Sequence, residues 1–210
     1  MRVLKQYLVI ATLWVLTGSA NAQGILIVGD SISAAFGMDI ADGWVALLEQ
    51  RLEAEGESIP VVNASVSGDT TAGGLARLPR LLERHSPEIV VIELGGNDGL
   101  RGMRLTDMQQ NLSRMVAQAQ VSGAQVLLLG MRLPPNYGQR FTDAFAQVFD
   151  DVSTEHEVPL VPFLLEGIAG TGDQSLMQAD GVHPTAQAQQ RILDNAWPRI
   201  DAWRSSRETR

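Results

Sequence analysis

Apolar and polar positions along the chain switch between two periods. Short, nearly continuous aliphatic runs fall at Ile25 to Val28, Pro60 to Asn63, Ile89 to Leu94, Gln125 to Leu129 and Pro159 to Val161. Each is punctuated by Gly, Pro or Asn, which marks them as strands. Between them, and closing the chain, lie longer amphipathic stretches at Trp44 to Glu55, Ala72 to Arg84, Leu105 to Val121, Tyr137 to Glu155 and Thr185 to Trp203. In the third, Leu105, Met108, Leu112, Met115 and Ala119 recur every three or four residues, so one apolar stripe is available to pack on a sheet.

Strands as uniformly apolar as Ile89-Val90-Val91-Ile92 are buried on both faces, as happens when crossover helices cover a parallel sheet. The expected class is therefore α/β, a three-layer αβα sandwich. Right-handed crossovers between neighbouring strands make the flavodoxin-like order 2-1-3-4-5 the simplest five-stranded arrangement. No repeat or linker divides residues 23–210, which read as one domain. In such sheets ligands bind beyond the carboxyl ends of the strands. Four segments there carry unusual residues: Gly29-Asp30-Ser31, Ser67-Gly68-Asp69, Gly95-Gly96-Asn97-Asp98, and Asp180-Gly181-Val182-His183.

Residues 1–22 have another character. Arg2 and Lys5 precede an apolar run from Tyr7 to Leu16, followed by Ala20-Asn21-Ala22. This predicts a cleavable signal peptide, with cleavage after Ala22 and a periplasmic or secreted destination. The run is shorter than the ~20 residues of a spanning helix, so no stable membrane span is expected in the mature form. Removing Arg2 and Lys5 from 16 basic residues leaves 14 against 24 acidic ones, a formal charge near −10. Nucleic acid is a poor partner for such a surface. The densest basic stretch, residues 204–210, is expected to fray. With Cys 0 there are neither disulfides nor zinc thiolates, and the core must supply the stability. The Asn-X-Ser matches at Asn63 and Asn111 sit at a strand end and inside a helix pattern, and are read as chance.

A serine after a buried strand becomes a nucleophile only with an imidazole to take its proton and a carboxylate to orient that imidazole. Of the three histidines, His85 and His156 stand at helix C-termini, where the dipole alone accounts for them. His183 follows Asp180 in a tight turn and precedes Pro184. Such a turn can present the carboxylate to Nδ1 and leave Nε2 for Ser31, although the same residues could simply start the last helix. Asp30 and Ser31 could likewise merely cap a helix. Gly68, with no side chain to block its N–H, and Asn97, with an amide, are candidate donors for an oxyanion; an ordinary turn would use the same residues. The chain lacks Gly-X-Gly-X-X-Gly, a P-loop and the Gly-X-Ser-X-Gly elbow.

The order of the four segments resembles the SGNH, or GDSL, hydrolase family, whose letters correspond here to Ser31, Gly68, Asn97 and His183. Stretches such as Asn63 to Thr70, Leu75 to Pro79, Glu93 to Gly102 and Arg132 to Gly138 are similar to its periplasmic multifunctional thioesterase I/protease I/lysophospholipase subgroup. The resemblance implies Ser31 as nucleophile, His183 as base and Asp180 as its orienter. It also implies an oxyanion hole from the Ser31 and Gly68 N–H groups and the Asn97 amide. A mobile loop over residues 131–137, with Leu133 and Pro134, is implied to border the acyl groove. The segment Phe36 to Gly43 does not map onto the family pattern.

The expected activity is hydrolysis of small-molecule carboxylic esters and thioesters, including aryl esters and lysophospholipids, by a monomer with no metal or cofactor. Two alternatives differ. An acetyl esterase acting on acylated carbohydrate would have polar groove walls, and a non-catalytic binding module would keep the fold without the chemistry.

Overall fold

A computed structural model describes residues 24–207. The expected signal peptide lies outside the described residues. Five strands form one parallel sheet: β1 (Ile25–Gly29), β2 (Val61–Asn63), β3 (Ile89–Glu93), β4 (Gln125–Leu129) and β5 (Leu160–Val161). Their order is β2-β1-β3-β4-β5, the doubly wound arrangement expected. Each lies within a residue or two of the run that predicted it. All five residues of β1 and of β3 are buried, because helices cover both faces.

The helices are α1 (Trp44–Ala54), α2 (Thr71–His85), α3 (Gly96–Leu100), α4 (Leu105–Val121), α5 (Gln139–His156) and α6 (Gln189–Arg207). α1 packs on α6, while α2, α4 and α5 pack in a row, so the helices form two groups around the sheet. The stripe on α4 does what its period requires: Met108, Leu112, Met115 and Ala119 are buried. Each large apolar side chain buried in this way contributes roughly 1.5–3 kcal/mol.

Three differences from the sequence reading matter. Residues 96–100, read as loop, form α3. The last helix begins at Gln189, because Ala186–Ala188 make a 3-10 turn first. The tail expected to fray from residue 204 is helical through Arg207. Trp203 is buried there, Arg204 pairs with Glu57 (2.9 Å) and Asp201 (2.6 Å), and Arg207 pairs with Glu88 (2.6 Å). Acidic neighbours and one apolar anchor thus hold a stretch that its basic composition alone left solvated. Among the described residues no helix is long and apolar enough to cross a membrane.

Candidate active site

β1 delivers the chain into a single helical turn: Ala34 N–H donates to Asp30 O (3.0 Å) and Phe36 N–H to Ser31 O (3.1 Å). Ala35 closes this turn at φ +56°, a left-handed position usually left to glycine. Ser31 is buried, and its Oγ lies 2.9 Å from His183 Nε2. His183 Nδ1 lies 2.6 Å from Asp180 Oδ2. A carboxylate can only accept, so Nδ1 carries the proton; in the neutral ring Nε2 then accepts from the Ser31 hydroxyl. Ser31, His183 and Asp180, 152 residues apart at the extremes, form one hydrogen-bonded line.

Asp180 and His183 occupy the tip of a short hairpin rather than a bare helix entry. Met177 and Pro184 make an antiparallel bridge, and Gln178 N–H donates to His183 O (2.7 Å). At the tip Asp180 Oδ1 accepts from the N–H groups of Val182 (2.9 Å) and His183 (3.0 Å). These bonds to the charged form, the one from the His183 N–H first, hold the Asp180 carboxyl down at about 2.

Asn97 sits on α3, whose N-cap Gly95 has φ +117°. A Cβ at Gly95 would come within 2.6 Å of Met108 Cε, so glycine is needed twice over. Asn97 Nδ2 donates one hydrogen to Asp30 Oδ2 (3.0 Å) and keeps the other. Gly68, at φ +78°, is exposed; its carbonyl accepts from Arg101 Nη2 (2.8 Å). Its loop is tied to the nucleophile turn, since Val66 N–H donates to Gly29 O (3.0 Å). Arg77 adds bonds to Asp69 and to the carbonyls of Ala64 and Gly29.

Beneath the nucleophile turn lies a polar cluster that the sequence did not disclose. Asp30 N–H donates to Glu93 Oε2 (3.2 Å), and so does the Ser33 hydroxyl (2.8 Å), which accepts in turn from Trp44 Nε1 (3.2 Å). A Cβ at Gly29 would come within 2.8 Å of that Glu93 oxygen. Glu93 is wholly buried and its Oε1 has no hydrogen-bond partner among the described residues. Burial first, and the Asp30 charge second, push its carboxyl well above the usual range. Burial likewise pushes Asp30 up to about 6, against the opposing bonds from Ile32 and Asn97.

A cavity of about 450 Å³ opens beside Ser31, Asn97 and His183. Leu100, Leu133, Pro134, Phe163, Leu165 and Val182 make much of its wall. Leu133 and Pro134 thus line this cavity, whereas Gly68 is not among its lining residues. The apolar lining does not match the polar walls of the carbohydrate alternative. His156 bonds Ser113 (2.6 Å) and lies, like His85, away from the cavity. The Asn63 amide donates to Ser33 O (2.7 Å) and that of Asn111 to Thr71 Oγ1 (3.1 Å), so both are engaged internally. Among the described residues no group of three His, Cys, Asp or Glu is placed to hold a metal.

The profile of the GDSL-like Lipase/Acylhydrolase family matches residues 27–191. The chain is 58% identical over 185 residues to Esterase TesA of Pseudomonas aeruginosa PAO1, covering 88% of this chain and 91% of that protein. It is 43% identical over 176 residues to Thioesterase 1/protease 1/lysophospholipase L1 of Escherichia coli K12, covering 84% and 82%. Its fold superposes with TM-score 0.82 on the crystal structure of the psychrotrophic esterase EstA of Pseudoalteromonas sp., inhibited by monoethylphosphonate. That pair shares 42% identity over 87% of this chain and 99% of the other. With its profile match spanning most of the chain and its relatives aligned almost end to end, the chain belongs to the GDSL-like lipase/acylhydrolase family.

Proposed function

We propose that this protein hydrolyses carboxylic esters and thioesters of small acyl substrates through an acyl-enzyme on Ser31. It is a carboxylic ester hydrolase, in keeping with relatives named as esterase and as thioesterase/lysophospholipase. The observation that carries the mechanism is the line Asp180–His183–Ser31, at 2.6 and 2.9 Å, beside an apolar cavity. Ser31 Oγ attacks the carbonyl carbon as its proton passes to His183 Nε2, and Asp180 stabilises the imidazolium. The developing oxyanion is met by the second Asn97 amide hydrogen and by the Ser31 and Gly68 N–H groups. On collapse His183 hands the proton to the leaving oxygen or sulfur. Water, deprotonated by His183, then cleaves the acyl-enzyme and releases the acid.

The acyl chain occupies the cavity, with Leu133 and Pro134 as part of its wall and residues 131–137 as its border. The protein acts as a monomer in the periplasm or outside the cell, after cleavage following Ala22, with residues 23–210 as the mature domain. A fluorophosphonate probe tests the core of this reading. Intact-mass measurement should show one adduct, mapping to Ser31 and absent from Ser31→Ala; equal labelling of that variant would place the nucleophile elsewhere.

A further inference from the structure

Phe36 lies outside the acyl cavity and yet touches the reacting groups. Its N–H donates to the carbonyl of Ser31 (3.1 Å), and its ring sits against the His183 imidazole, with centroids 4.4 Å apart and planes inclined by 36°. A second strap ties the two loops together. Gln178 Nε2 donates to Phe36 O (2.8 Å) and to Pro184 O (3.0 Å), while the Gln178 backbone holds His183. At Gly37 a Cβ would come within 2.5 Å of Gln178 Oε1, so only glycine lets that amide through. Ala35, in the left-handed region at φ +56°, immediately precedes Phe36 at the close of this turn. Although its backbone is fixed, Phe36 is 46% exposed and has surface to offer a ligand.

During acylation the leaving atom must come within about 2.6–3.2 Å of His183 Nε2 to receive its proton. The acyl group points into the apolar cavity, so the leaving substituent projects away from it, alongside the imidazole that Phe36 covers. An aromatic substituent there falls within the ~4.5–7 Å centroid separation that ring pairs favour.

We infer that Phe36 walls a leaving-group subsite and selects esters of aromatic alcohols and thiols over aliphatic ones of equal acidity. The inference rests on the acyl-enzyme reading for Ser31. Its test holds the acyl group constant and compares kcat/KM for phenyl and hexafluoroisopropyl butanoates, whose leaving groups are similarly acidic. Phe36→Leu should lower the phenyl-to-fluoroalkyl ratio roughly three- to tenfold, the worth of one ring pair. Phe36→Trp should raise it. An unchanged ratio in Phe36→Leu overturns the subsite; if that variant fails to fold by circular dichroism, an unchanged ratio in Phe36→Trp does so. Fluorophosphonate labelling of the same samples separates the two readings. Persistent labelling at Ser31 with an unmoved ratio removes the subsite alone, whereas a wild-type protein unlabelled at Ser31 removes both.

Discussion

The two halves of the site are built in opposite ways. The half around the proposed nucleophile is buried and anchored over long range: Asp30 and Glu93 are 2% and 0% exposed, and the two Glu93 bonds beneath the turn join residues 60 and 63 apart. The base half is local and open: the Asp180 side chain is 43% exposed, and its bonds reach only two or three residues along the chain. Their carboxylates accordingly move apart, Asp30 up to about 6 by desolvation and Asp180 down to about 2 by N–H donors. A carboxylate that must stay charged is served by a hairpin tip that water can reach. A turn that must stay rigid is served by the interior, which makes its acids costly to ionise.

The sharpest way to break this contrast is on the base side. Asp180→Asn keeps an oxygen for the Val182 and His183 N–H groups, so the tip should hold its shape. Its amide, however, presents a donor to Nδ1, which moves the ring proton to Nε2 and leaves Ser31 without a base. A loss of about 10⁴ in kcat is expected, as for the equivalent change in other triads. Loss of less than tenfold, with the fold intact by circular dichroism, would mean that Asp180 does not set the tautomer.

On the nucleophile side the effects are smaller, because the groups act through a donor. Asn97→Ala should lower kcat by roughly 10²–10³ through loss of one oxyanion contact. Asp30 now uses one oxygen for the Ile32 N–H (3.0 Å) and the other for the Asn97 amide (3.0 Å). Asp30→Asn leaves one oxygen for the two donors, and with it on Ile32 the Asn97 amide faces an NH₂ group and loses its orientation. A part of the same loss should appear, with kcat lower and KM little changed. The wild-type acid limb should include protonation of Asp30 as pH falls through about 6. Its persistence unaltered in Asp30→Asn would show that Asp30 has no part in it.

How much of this was legible in the sequence follows the same division. Period and punctuation located all five strands, because buried parallel strands are written in contiguous residues. Asp180 and His183 were legible because their partnership is carried within one turn. The role of Glu93 was not, since it looks like the end of a strand and its partners at Asp30 and Ser33 lie in another loop. α3 was missed because Gly-Asn-Asp-Gly has poor helix propensity. What holds it is tertiary: Asp98 accepts from the Thr71 N–H (2.9 Å) and hydroxyl (2.5 Å) at the start of α2. Phe36 and Gln178, 142 residues apart, carried no signal that either faces His183.

Glu93→Gln gives the smallest effect and the most direct measure of what the buried half costs. Its amide oxygen can still accept from Asp30 N–H and the Ser33 hydroxyl, so the turn should survive. Glu93 and Asp30 both have folded pKa values above their unfolded ones. The stability they lend is complete below pH ~4 and is lost as pH rises toward the folded values. Removing the Glu93 titration should therefore leave Tm unchanged near pH 4 and raise it progressively above that. The size of that rise measures the cost, since a domain of this size gains on the order of 2–4 °C in Tm per kcal/mol. Calorimetry of wild type and variant across pH 4–8 measures the difference. A constant offset would assign Glu93 a packing role only, and a gap that shrinks with rising pH would mean that the interior stabilises its charge.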